Sequence, residues 1–192
     1  MAGNLHKNTE IEVRFLNIDK GVLAGKLRTL GAEEIPEHMT EEVIFYDPDL
    51  KWRDVEKRFV RLRKKGESIV LTYKHNMQGT TLSGVEEIEF PVPEMEKVSL
   101  LLQRLNLMPY RRQQKLRHSF RFQGASIDID TWPTVPPYAE IEGESEAHVR
   151  GIALALGLDW SQKVTDDALV VLEKHYNIPF GSLRVFTFDH IA

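Results

Sequence analysis

The chain has no cysteine, which excludes disulfides, thiolate metal sites and cysteine nucleophiles. Its seven histidines form neither an HExxH pattern nor a close pair, so the sequence gives no support for zinc. A GxxxxGK loop ending in Ser or Thr is also missing, and with it the conventional nucleotide-binding domain. No apolar run approaches membrane-spanning length, and Met1 to Thr9 lacks the apolar core of a signal peptide. The expectation is a cytoplasmic protein with no membrane partner. A formal net charge of −4 argues against general affinity for DNA, so any anion site must be local.

What the chain does have is charge arranged at period two. Its 192 residues, 42% apolar and 28% charged, read as a single domain over 1–192, with about 177–192 as a C-terminal extension. Glu10 to Phe15 alternates strictly: as a strand it sends Glu10, Glu12 and Arg14 to one face and Ile11, Val13 and Phe15 to the other. Phe59 to Lys65 puts Arg61 and Arg63 on one face, and Ser68 to His75 puts Thr72 and Lys74 on one face; Lys65-Gly66-Glu67 joins them as a hairpin. Val85 to Phe90 sets Glu87 and Glu89 opposite Ile88 and Phe90. Lys115 to Phe122 collects Lys115, Arg117, Ser119 and Arg121, with His118 on the apolar side as a packing histidine. Ser126 to Asp130 then presents Asp128 and Asp130, and Tyr138 to Gly143 presents Glu140 and Glu142. Glu41 to Tyr46 reads as one more strand, with poor alternation, ended by Asp47-Pro48-Asp49.

Helices are expected after Asp19, over Glu94 to Leu105, after Ser145 and after Thr165. The loop Asn76 to Gly84 reads as a flap or a plain solvated connection. The apolar tail from Asn177 reads as a latch on the domain or as a contact in a homodimer.

These elements describe an α+β fold: eight antiparallel strands whose apolar faces lie under about four helices and whose charged faces turn inward on closing. The result is a β-tunnel, a closed barrel with a polar, charged lumen. A solvated sheet face would mix signs along each strand, whereas here acidic and basic residues segregate by strand. Segregation suits a divalent metal bound next to a polyanion. Carboxylate oxygens are the hard ligands that Mg²⁺ or Mn²⁺ prefers, and arginine forks and lysine charges hold phosphoryl oxygens.

With these residues in hand, the chain resembles the CYTH superfamily, the triphosphate tunnel metalloenzymes, over roughly residues 5 to 176. Glu10-Ile11-Glu12-Val13-Arg14 is similar to that family's ExExK signature, with arginine in place of lysine. Arg61-Leu62-Arg63, Lys74, Glu87-Ile88-Glu89, Lys115 with Arg117, Asp128-Ile129-Asp130 and Glu140-Ile141-Glu142 follow in the family's order. A second departure is Val164-Thr165-Asp166-Asp167-Ala168, where many relatives have a serine-tyrosine pair.

The resemblance implies an eight-stranded tunnel that binds a small-molecule triphosphate substrate with Mg²⁺ or Mn²⁺ as cofactor. It assigns Glu10, Glu12, Glu140 and Glu142 to the metal, with Asp128 and Asp130 as further candidates. Arg14, Arg61, Arg63, Lys74, Lys115 and Arg117 would neutralise the phosphate chain. Glu87, Glu89 and Arg14 are the candidate catalytic residues, the two glutamates by orienting water, joining a second metal or pairing with the arginines. The expected reaction is hydrolysis of tripolyphosphate, thiamine triphosphate or a nucleoside triphosphate. Its rivals are a class IV adenylate cyclase, a non-catalytic polyphosphate or nucleotide-binding module, and a structural adaptor.

Overall fold

The computed structural model describes residues 11–76 and 85–192, so Glu10 and the connection from residue 77 to Gly84 lie outside the described residues. Eight strands pair antiparallel in one sheet: β1 (Ile11–Phe15), β2 (Glu33–Tyr46), β3 (Arg58–Lys65), β4 (Ser68–Asn76), β5 (Val85–Pro91), β6 (Met108–Phe122), β7 (Ala125–Thr131) and β8 (Tyr138–Gly143). Their spatial order is β1-β8-β7-β6-β2-β3-β4-β5. Gly66 (φ +59°) and Gly124 (φ +82°) make the left-handed turns of the β3–β4 and β6–β7 hairpins, a conformation that costs glycine little.

Period-two patterning fixes which way the sheet curls. Val13, Phe15, Ile127, Ile129 and Ile141 form a core with Leu27 of α1 (Lys20–Thr29) and Val149 and Ile152 of α4 (Glu146–Ala155). On the other half of the same face, Phe45, Val60 and Leu62 pack on Leu102 and Val98 of α3 (Met95–Arg104). Both cores lie under helices, so the alternate, charged residues face the inside of the curl. The helical stripes are narrower than their sequences suggest, since Leu101 of α3, Leu105 at its C-terminal cap and Val22 of α1 are exposed.

Two further helices complete the set. α2 (Lys51–Asp54) is one turn, started where Asp47 accepts the backbone N–H groups of Lys51 and Trp52. α5 (Ala168–Val170) runs on as a wide turn over Val171–His175, and Asp167, not Thr165, caps it by accepting from the Val170 N–H at 2.9 Å. Ser145 caps α4 as its sequence indicates, its Oγ accepting from the His148 N–H at 3.2 Å. Ser145→Ala is expected to cost about 1 kcal/mol, read as a lower denaturation midpoint with an unchanged slope.

The closed tunnel is an open half-barrel among the described residues, because β1 and β5 end the strand path without pairing. The free edge of β1 is taken instead by a segment that follows α4. Arg14 donates its backbone N–H to the Val164 carbonyl, and Val164 donates back to Arg14, both at 2.8 Å. The tail folds back onto the same domain: β9 (Val185–Phe186) pairs parallel with Arg112 and Gln113 of β6, and Phe180 and Phe186 pack on Trp132.

Candidate active site

Two networks of ion pairs line the inside of the curl. The first is built on β1, β8, β7 and β6. Register sets Arg14 opposite Glu140 and Glu12 opposite Glu142, so two carboxylates and a guanidinium meet across one strand pair. Nη2 of Arg14 donates to Glu12 Oε1 and also to Glu140 Oε1 at 2.5 Å, and Nη1 donates to the Asp166 carbonyl at 2.6 Å. Burial and the neighbouring Glu140 charge push the Glu12 carboxyl well above the ordinary carboxylate range. Glu140 goes the other way. Burial would raise it, but Arg14 and Arg117 hold it well below.

Arg117 forks onto Asp130, with Nε and Nη2 each 2.7 Å from a carboxylate oxygen, and it also reaches Glu140 at 2.8 Å and Asp128 at 2.5 Å. Lys115 Nζ donates to Asp130 at 2.6 Å. Asp130 is 0% exposed, and its ionised form persists because Arg117 and Lys115 outweigh the cost of burial. The same burial, together with Arg117, lowers the Lys115 ammonium.

The second network centres on Glu42, which is not among the residues that the charge pattern of the sequence singles out. At 3% exposure it accepts from Arg63 Nε at 2.7 Å and from Gln113 Nε2 at 2.6 Å, with Arg61 at 3.9 Å. Burial would raise its carboxyl, yet Arg61, Arg63 and Lys115 pull it far down. The signal was present: Thr40, Glu42 and Ile44 alternate against Val43 and Phe45, which place Glu42 on the charged face. On β4 and β5, Lys74 pairs with Glu87 at 3.3 Å, Thr72 donates to Glu89 at 2.8 Å, and Arg61 comes within 4.0 Å of both glutamates.

A cavity of about 350 Å³ opens between the networks. Arg63, Lys115 and Arg117 line it with Glu87, Glu89, Asp128 and Glu142, and Lys65 and Arg121 extend its basic wall. Arg14, Glu12, Glu140, Asp128, Asp130, Lys115 and Arg117 are thus brought together, as are Arg61, Arg63, Lys74, Glu87 and Glu89; Glu10 is outside the described residues. Acidic and basic sets that are separate in sequence pair across strands. Among the described residues no three His, Asp or Glu side chains converge tightly enough to grip an ion. Two carboxylates do converge, Glu12 and Glu140, on the single nitrogen Nη2 of Arg14. All-oxygen donors meeting at a point already held by a cation fit an ion of the Mg²⁺ or Mn²⁺ class.

Comparison with known proteins agrees with this fold. A protein of Methanocaldococcus jannaschii named "putative adenylate cyclase" is 23% identical over 133 residues, covering 69% of this chain and 75% of that protein. A structure of a "putative adenylate cyclase" from Vibrio parahaemolyticus superposes with a TM-score of 0.73 at 12% identity, covering 85% of this chain and 97% of that one. One from Hippeastrum, described as a "putative adenylyl cyclase" that reveals a dominant triphosphatase activity, superposes with a TM-score of 0.62 at 15% identity, covering 89% and 97%. The CYTH domain model matches residues 8–162, and the chain belongs to the CYTH family.

Proposed function

We propose that the protein hydrolyses a triphosphate held in the cavity between its two ion-pair networks, with a divalent metal. The observation that carries this reading is the basic wall of Arg63, Lys115 and Arg117, which shares one cavity with the carboxylates of Glu87, Glu89, Asp128 and Glu142 and is joined to the Glu12–Glu140 pair by the bond from Arg117 to Glu140. CYTH enzymes act on small triphosphate or nucleotide substrates and use divalent ions, which supports it. Adenylate cyclase is the second reading, favoured by the names of the relatives. Among the described residues no helix is long and apolar enough to cross a membrane.

Each residue has a task in this reading. Glu12 and Glu140, with Glu142 from the position opposite Glu12, would hold the metal. When bound, the ion supplies Lewis-acid charge and lowers the proton affinity of water. Arg61, Arg63, Lys115 and Arg117 neutralise phosphoryl oxygens, and Glu42 holds the Arg61–Arg63 pair pointing inward. Asp130 keeps Arg117 and Lys115 in place, so it acts through cations and not as a ligand. Glu87 and Glu89, which line the cavity beside Arg61, would orient an attacking water.

The test is incubation with ATP, thiamine triphosphate and tripolyphosphate, with and without Mg²⁺ or Mn²⁺, and separation of all products. Metal-dependent orthophosphate is the expected result; cyclic AMP with pyrophosphate establishes the cyclase, and no turnover rejects both. Arg63→Ala is expected to weaken tripolyphosphate binding roughly tenfold or more through loss of a charge-assisted contact. Calorimetry reads it, and an unchanged Kd removes Arg63 from the binding wall.

A further inference from the structure

Glu12 and Glu140 meet at one point, and a side chain of this chain already stands there. Arg14 is 7% exposed, and its Nη2 serves both carboxylates. Its position is fixed from the far side by Nη1 on the Asp166 carbonyl and by the two backbone bonds to Val164. The Nε of the same guanidinium is buried with no acceptor among the described residues. Arg14 is therefore anchored on one flank, committed to two carboxylates at one nitrogen, and left with its Nε unused.

Two carboxylates that converge on one nitrogen repel, Glu140 with 15% and Glu12 with 33% of its side chain exposed, and only a proton or a cation relieves them. A guanidinium and a divalent ion cannot share the point where the oxygens converge. An arginine fork is also a more persistent occupant than lysine, whose single ammonium sits on a flexible stem and cannot serve Glu12, Glu140 and the Asp166 carbonyl in one planar arrangement. The exchange of Lys for Arg in the first-strand signature thus changes what the acidic pair is doing before any ligand arrives.

We propose that Arg14 is a built-in cation that holds the Glu12–Glu140 pair closed to divalent metal until a triphosphate engages its guanidinium. A phosphoryl oxygen that competes for Nη2 from the side of Glu12, the more exposed of the two carboxylates, would draw the charge of Arg14 away from the pair. Metal then gains a site at the moment the polyanion that it must neutralise is present. Binding of metal and of triphosphate is positively coupled, and by reciprocity each tightens the other. The proposal rests on the reading of Glu12 and Glu140 as metal ligands, and the experiment separates the two.

The experiment titrates Mn²⁺ by calorimetry into triphosphate-free wild type, Arg14→Ala and Arg14→Lys, with folding checked by circular dichroism. Arg14→Ala is expected to bind Mn²⁺ about tenfold more tightly than wild type or better, with Arg14→Lys between them. Equal or weaker binding by Arg14→Ala overturns the role of Arg14 and leaves the metal reading standing. No Mn²⁺ binding by any of the three overturns both. A measurement on wild type alone covers the case in which the variants do not fold. The Arg14 guanidinium protons, followed by ¹⁵N NMR, are expected to exchange slowly in metal-free protein and to lose that protection when Mg²⁺ saturates the site. Protection that survives saturation means that ion and guanidinium coexist, which overturns the proposal.

Discussion

Glu12→Gln is expected to lower metal-dependent turnover by about two to three orders of magnitude, the usual loss when one electrostatic group is removed from a reacting centre. Stability should hold or rise. In the folded protein the Glu12 carboxyl is pushed up by burial and by Glu140, so the charged form at neutral pH is disfavoured relative to the unfolded chain. A carboxylate whose folded affinity for protons exceeds its unfolded affinity costs stability above its ordinary range. A neutral amide of the same shape removes that cost and still accepts from Arg14. Opposite signs for turnover and thermal midpoint are the mark of a residue kept for its chemistry. A folded Glu12→Gln with wild-type metal-dependent turnover would remove Glu12 from the metal, and a large drop in Tm would recast it as a structural partner of Arg14.

The sequence made the charged face legible wherever a strand had one face under a helix. β1, β3, β7 and β8 alternate strictly because Val13, Val60, Leu62, Ile127, Ile129 and Ile141 must be buried, which forces Glu12, Arg61, Arg63, Asp128, Asp130 and Glu140 to the other side. β2 and β6 are longer than Glu41 to Tyr46 and Lys115 to Phe122 suggest. Pro36 falls where the β2–β6 ladder breaks between Ile35 and His38, and Pro109 at the shift between Ile44 and Phe45. A proline read as a strand breaker is tolerated at such irregularities. Arg111 to Gln114 offers no apolar alternation. β7 does not pair with this stretch, and β9, from the far end of the chain, pairs with Arg112 and Gln113. Glu42 is harder to read because buried Ile44 shares its face and blurs the alternation, and because its partners Arg63 and Gln113 come from two different strands. The open seam was equally hidden, because nothing local to β1 says that Val164 will occupy its edge.

Asp130→Asn is expected to destabilise the protein by about 3–5 kcal/mol, the range for breaking a buried ion pair on one side. The carboxylate is wholly buried and is shared by Lys115 and Arg117, which stay buried when it is neutralised. Lys115, already lowered by burial and by Arg117, can answer by releasing its proton; Arg117 cannot, and must lean on Asp128 and Glu140. The effect depends on pH with a definite sign. Cations hold the folded pKa values of Asp130 and Glu42 below the ordinary carboxylate range, so the unfolded chain takes up protons first as pH falls. Their stabilisation is full above that range and is lost as pH drops through it toward the depressed folded values. Wild type should therefore lose stability steeply in acid, whereas Asp130→Asn, weaker at neutral pH, should lose less over the same interval. Urea unfolding at neutral pH and through the acid range measures both. A loss under about 1 kcal/mol at neutral pH, the scale of a surface pair, would mean that water reaches Lys115 and Arg117 and that Asp130 is not what holds them.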